Sequence, residues 1–501
     1  MQKITLGAYK INLEDGFIRH IYHDDTEIIR GIYSAVRDHN WDTVPYTLNY
    51  SKNVITETHI HQIFTCRYEK DHIKFEAAYE LKGSDTGQFS ITMKGKARTS
   101  FQKNRVGFCI LHPIEECAGN ICDVTHVDGV QKQYKFPKYI DPNQPILNIK
   151  EMKWGKELGI EAHLTFEGDI FEMEDQRNWT DCSYKTYCTP LEVPFPVMLQ
   201  VGDEVAQEIR LNIKVLNDVN TTSKSITGNA AKAPKIYLGI GISTHRNTLS
   251  ENEISVLKNL NINHLHADLY LFQNTWQAQL TRAVTQAKLL NVKLELVLHL
   301  SPDKHHEEIK LFCSHAELLN ANLIYTINIQ LFRQTGMSAD VSMLLIKTLR
   351  NVYSSTLIGT GSDANFAELN RDVFDYEMYD FISFSVNPQV HAFDDVTLME
   401  NAAAQAYAVE TCMHLFKNKP VHVTPITLRQ RYNPVAQDIY DIPVPLSDVR
   451  QNTPFCAEWT RKSIEVLARS GAASATYFET VGPRGVMDEV LFPVGEVFMK
   501  Y

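Results

Sequence analysis

The chain has 501 residues, long enough for two to four domains with a large buried core, and its 44% apolar and 22% charged content is ordinary for a globular protein. A net charge of −11 with no long basic run argues against nucleic acid or an anionic membrane as partner, and no apolar stretch is long enough to span a bilayer. Nine scattered cysteines without C-x-x-C pairing, behind an N-terminus that lacks an apolar signal region, read as free thiols of a cytoplasmic protein.

Residues 1 to about 215 read as β structure. Alternating segments recur at Asp71–Glu80, Gln88–Lys94, Arg105–Leu111 and Gln207–Val215, and a period of two marks half-buried antiparallel strands. Many such strands with little helical pattern predict a sandwich over residues 1–218. Residues 219–234, rich in Asn, Thr, Ser, Ala and Lys without an apolar period, read as a linker.

Over residues 235–501 the pattern becomes strand, loop, helix, repeated. Strands are predicted at Ile236–Ile242, His264–Leu269, Lys293–Leu300, Leu323–Ile329, Thr356–Gly359, Phe381–Val386, Val421–Thr424 and Ala475–Phe478. Ser250-Glu-Asn-Glu253 is a capping box opening the first helix. Trp276–Leu290, Asn401–Asn418 and Cys456–Arg469 carry the clearest later helical periods. The span is close to the ~250 residues typical of a TIM (β/α)8 barrel. The fold class is therefore multidomain α/β, an antiparallel β-sandwich followed by a TIM barrel whose last helix is short or truncated. A doubly wound open sheet is the alternative, disfavoured by the lack of a G-x-G-x-x-G turn.

Catalytic groups of such barrels come from the C-terminal ends of several strands. His266 and Asp268 stand two apart on strand two, and strand three ends in His299. Strand five runs into Asp363 and Asn365, strand six into Asn387, Gln389 and His391, and strand eight into Glu479, followed by Arg484. Each also has a plainer reading: His266 with Asp268 as a pair in the barrel wall, Asp363 as a helix cap, Asn387-Pro388 as a turn. Glu479 has the weakest such alternative, because a carboxylate closing an apolar strand needs a polar destination.

Strand four, Tyr325-Thr-Ile-Asn-Ile-Gln330, and strand seven, ending Val423-Thr-Pro425, lack the carboxylates of the commonest retaining glycosidase barrels. Strand one holds Gly239-Ile-Gly241 in place of the His-x-His of a metal-dependent amidohydrolase. His266, Asp268, His299 and His391 are metal-ligand types without a spacing motif, so no metal or cofactor is assigned. Nucleophile-elbow, Walker A and zinc-finger motifs are absent.

Phe171-Glu-Met-Glu-Asp-Gln-Arg-Asn-Trp-Thr-Asp181 packs four acids, an Arg, an Asn and a Trp into one stretch. Such side chains suit sugar hydroxyls and C–H faces, and equally suit a solvated hairpin with internal ion pairs. Glu174, Asp175, Arg177 and Asn178 are its candidate substrate contacts.

That segment, with Gly31–Trp41, Arg105–Pro113, Gly361–Asn370 and Ala475–Thr480, resembles the D-apionate lactonase family from the N-terminus to the last strand. The resemblance implies a β-sandwich, a TIM barrel and often a further C-terminal β domain, which has no counterpart segment here. It implies hydrolysis of D-apionolactone to D-apionate in bacterial breakdown of the plant sugar apiose, on a small sugar-lactone substrate. The resemblance itself assigns no site residues; the candidates come from the strand ends and the polar segment. Lactone opening needs a base for water, donors for the oxyanion and an acid for the ring oxygen. Glu479 or Asp363 is the candidate base, His391 or His299 the acid or oxyanion donor, and Asp268 orients His266. Arg177, Asn178, Arg484, Asn365 and Asn387 are candidate holders of substrate hydroxyls or the product carboxylate. Two other classes remain open: a TIM-barrel glycoside hydrolase using Asp363 with Glu479, and a non-catalytic carbohydrate-binding protein. The oligomeric state is not legible.

Overall fold

Alternation of burial builds the first part of the protein. In the computed structural model, His59–Lys70 and Ile73–Ser84 bury every second side chain over most of their length. The structure describes residues 1–216, 235–317, 319, 321–334, 336–372, 374–417, 419–432, 434 and 447–501. The predicted linker, 219–234, lies outside them.

The chain divides into two compact units, Met1–Gln176 with Ser183–Thr227, and Arg177–Cys182 with Gly228–Tyr501. In the first, strands Tyr46–Ile55, His59–Lys70, Ile73–Ser84 and Gln88–Ala97 form an antiparallel meander, which Glu204–Val215 extends. Phe101–Pro113 pairs with Gly31–Asp38 on one side and Ser183–Cys188 on the other, and it is buried along most of its length as a central strand should be. The unit is an antiparallel, sandwich-like sheet domain with an aromatic core around Phe17, Phe64 and Tyr79.

The second unit is the barrel. Strands Tyr237–Gly241, His264–Tyr270, Lys293–Leu300, Ile324–Leu331, Leu357–Ser362, Phe381–Val386, Val421–Ile426 and Ser474–Val481 pair in parallel with their successors, and the last pairs with the first. The predicted capping box forms: Ser250 N–H donates to Glu253 at 2.7 Å, and Ser250 Oγ accepts from Glu253 N–H at 3.3 Å. The helix expected over Asn401–Asn418 forms as Ala404–Leu415, preceded by a separate helix, Asp395–Asn401. The final helix, Pro493–Lys500, is one of the short ones, with Val494 and Phe498 buried. No helix among the described residues is long and apolar enough to cross a membrane. All nine cysteines are free thiols.

The barrel interior is polar. Gly239 on strand one leaves room for the His264 ring, which a Cβ there would meet at 2.0 Å. His264 bonds Thr476 across the interior at 2.8 Å. This polar filling replaces the usual Val, Ile and Leu layers at that level of the barrel.

Candidate active site

A cavity of about 530 Å³ opens at the C-terminal ends of the barrel strands. Thr244, His266, Asp268, Arg431, Glu479 and Arg484 are in its wall. Strict alternation on strand eight would not place Glu479 there: Thr476 points inward to the interior, Tyr477 outward to Ser463, and Glu479 would follow Tyr477. A bulge intervenes. Phe478 adopts φ 51°, and the pairing with strand one shifts between Ile240 and Gly241 so that Glu479 faces inward. Gly241 permits this, since a Cβ there would stand 2.6 Å from the Phe478 carbonyl oxygen.

Glu479 is held from several sides. Thr244 donates its N–H at 3.0 Å and its hydroxyl at 3.0 Å, and Arg484 donates Nε–H at 2.9 Å and pairs through its second nitrogen at 2.7 Å. Arg484 also bonds Thr244.

Asp268 is the centre of a second charged group. It accepts from His299 Nε2 at 2.9 Å and from Arg431 at 2.7 Å, and His266 Nε2 lies 3.3 Å away as an ion pair rather than an aligned hydrogen bond. Burial pushes the Asp268 carboxyl up, but the Arg431 guanidinium with His266 and His299 outweighs it and holds the group well below the ordinary carboxylate range. Below, the other nitrogen of His266 meets Glu295 at 3.0 Å. Burial would lower the His266 imidazole, yet Asp268 and Glu295 together raise it to about 9. The two carboxylates therefore favour the imidazolium form of His266 near neutral pH. Arg431 also stands 3.8 Å from Asp363, whose other oxygen accepts from the Tyr432 hydroxyl at 2.7 Å.

Two family descriptions match this chain. The N-terminal domain of D-apionate lactonase matches residues 1–215, and its TIM barrel domain matches residues 238–501. The chain belongs to the D-apionate lactonase family. The D-apionate lactonase of Brucella anthropi is 28% identical over 96% of this chain and 83% of its own length. Among solved structures, the endo-β-1,4-mannanase of Thermotoga petrophila is 10% identical with a TM-score of 0.37, over 55% of this chain and 77% of its own. A GalM/aldose epimerase homologue of C. elegans is 10% identical with a TM-score of 0.31, over 43% and 99%. Likenesses this slight carry no argument about the chemistry.

Within this D-apionate lactonase family member, the residues singled out from sequence fall into three places. Glu479, Arg484, His266 and Asp268 are in the cavity wall, with His299 behind Asp268 and Asp363 joined to it through Arg431. A second cluster surrounds the segment Arg177–Cys182, which belongs to the barrel unit. There His391 pairs with Asp181 at 2.5 Å, Thr180 donates to the Asn387 carbonyl at 2.9 Å, Asn178 accepts from Asn370 at 2.9 Å, and Arg177 lies over the Tyr407 ring at 5.2 Å. Asn387 donates to Asn365 at 3.2 Å. Asn365, rather than Asp363, is the N-cap of helix Phe366–Arg371, its N–H donating to Glu368 at 2.9 Å. Glu174 and Asp175 belong to the first unit, on a fully buried strand where a solvated hairpin was the alternative. Glu174 pairs with Lys185 across the ladder at 2.6 Å, and Asp175 accepts from the Asp141 N–H at 3.2 Å. The conceivable metal set is dispersed, since His391 sits with Asp181 while His266 and His299 share Asp268. Among the described residues no group of His, Cys, Asp and Glu has the geometry to hold a metal ion.

Sequence reasoning missed Glu295, Thr244, Arg431 and Tyr432. Glu295 carried a signal: it is the lone carboxylate inside strand Lys293–Leu300, on the same face as His299. Thr244, Arg431 and Tyr432 lie in loops, where no period distinguishes them.

Proposed function

We propose that this protein is a cytoplasmic lactonase that opens D-apionolactone to D-apionate in apiose catabolism, by attack of water. Family membership supports the substrate. The observation that carries the chemistry is the placing of His266, flanked by the Asp268 and Glu295 carboxylates, and of Glu479 in the wall of one cavity.

Water attacks the lactone carbonyl while Glu479 takes its proton. Glu479 suits this better than Asp268, because it pairs with one guanidinium and a neutral threonine, whereas Asp268 is surrounded by Arg431, His266 and His299. Negative charge on the carbonyl oxygen is met by the His266 Nε2–H, which lacks an aligned acceptor, and by Arg431. As the carbonyl re-forms, the ring C–O bond breaks and His266 protonates the departing alkoxide. Collapse gives the carboxylic acid, which ionises and returns a proton to His266, and Glu479 passes the water's proton to solvent. The product carboxylate remains beside the cavity guanidinium groups of Arg431 and Arg484.

A glycosidase reading needs Asp363 beside Glu479 as a carboxyl pair. Asp363 instead pairs with Arg431 and Tyr432 and is not in the wall of the cavity that holds Glu479, which favours the lactonase reading. The open cavity favours catalysis over a barrel plugged by side chains. The test is proton release on adding D-apionolactone to chelator-treated protein. Rapid release that falls about 100-fold or more in Glu479→Gln is expected for loss of a general base. Undiminished turnover in that variant rejects Glu479, release only after a divalent ion is restored rejects the metal-free route, and no release in any state rejects the substrate.

A further inference from the structure

We infer that Glu295, under the cavity floor, is a positioning residue that fixes the charge and orientation of His266, so that Nε2–H is presented to the reacting oxygen. This rests on the reading of His266 as the oxyanion donor and acid.

Glu295 is fully buried in the barrel interior. One of its oxygens, Oε2, collects donors from three other strands: His266 Nδ1 at 3.0 Å from strand two, Thr424 Oγ1 at 2.8 Å from strand seven, and Thr476 Oγ1 at 2.8 Å from strand eight. His264 Nε2 lies 3.6 Å from the same oxygen, while Oε1 makes no hydrogen bond. A barrel needs no such group for stability. Taking a carboxylate out of water is costly, and an apolar filling of similar volume commonly serves as well or better. The arrangement instead does what a second carboxylate does for histidine elsewhere in enzymology. By accepting from Nδ1–H it sets which way the ring faces and stabilises its charged form.

The groups facing His266 from each packed element are Asp268 on its own strand, Glu295 on strand three and Thr424 on strand seven. Arg431 and His299 reach it only through Asp268, and Glu479 stands in the same cavity wall. Among the described residues, Glu295 is thus the one carboxylate that His266 Nδ1 meets. Its negative charge raises His266 together with Asp268 and opposes the desolvation of the ring.

The experiment is Glu295→Gln, which keeps shape and an acceptor but removes the charge. Two readouts are compared with wild type: the pH profile of kcat, and the imidazole nitrogen NMR titration of His266, assigned by its loss in His266→Asn. The alkaline limb is expected to fall by one pH unit or more, so that turnover on that limb drops about tenfold while KM changes little. The His266 titration should move with it. A folded variant in which neither moves overturns the inference. Should the variant not fold, the wild-type spectrum decides: both His266 nitrogens protonated at mildly alkaline pH supports the assignment, and a neutral ring there overturns it. If wild type fails to open the lactone, the lactonase reading falls, while the titration still tests whether Glu295 holds the proton.

Discussion

At the scale of single residues, the site is defined by charge states that neighbours impose. His266 sits between two carboxylates and is raised from 6.5 to about 9. A group raised on folding contributes stability that is fully present below its unfolded value and is lost as pH climbs through its folded value. The protein is therefore expected to lose stability between about pH 6.5 and 9, at roughly 1.4 kcal/mol per unit of pKa shift, and His266→Asn should flatten that slope. Urea unfolding across this window checks it; an identical slope in the variant would assign the loss elsewhere. His266 and Asp268 were legible in sequence because two residues apart on a strand share a face. Their partners were less so. Glu295 meets His266 only through the register of strands two and three, and Arg431 arrives from a loop.

At the scale of elements, strand periods were read accurately while the decisive departure from period was not. All eight barrel strands lie where alternation and turn signals place them. The bulge at Phe478 is what turns Glu479 inward, and it depends on Gly241 of the neighbouring strand. Gly241→Ala should press a methyl against the Phe478 carbonyl, destabilise the protein by about 1–3 kcal/mol and reduce turnover more than it weakens substrate binding. Thermal unfolding alongside kcat and KM checks this, and a variant with wild-type stability and kcat would remove the bulge from the account. The helix expected across Asn401–Asn418 forms over Ala404–Leu415 and begins only after Asn401, whose side chain bonds both Asp181 and the Cys182 N–H. That side-chain demand comes from residues far away in sequence and leaves no trace in the local helical period.

At the scale of the whole molecule, the polar segment that stood out in sequence is shared between two folding units. Phe171–Asp175 is a strand of the sheet domain, whereas Arg177–Cys182 belongs to the barrel unit. Asp181 is its principal tie, accepting from Asn401 and pairing with His391. Asp181→Ala leaves buried Asn401 and part-buried His391 without this acceptor and should cost about 2–4 kcal/mol of barrel-unit stability. Hydrogen exchange in the loop after strand six would report the loss, and unchanged protection there would show the tie to be idle.

Sequence alone determined the class of molecule: a β-rich first part, an eight-strand barrel after it, and polar residues at the strand ends. These follow from burial periods of two and 3.6, which are local and repeat many times along the chain. Tertiary structure alone decided which polar residues meet and what charge each carries. Thr244 and Glu479 are 235 residues apart, and a contact of that kind is set by barrel closure, strand register and one bulge. Protonation states are set in turn by those contacts, since burial and a neighbouring charge act over a few ångströms in space, whatever the distance along the chain.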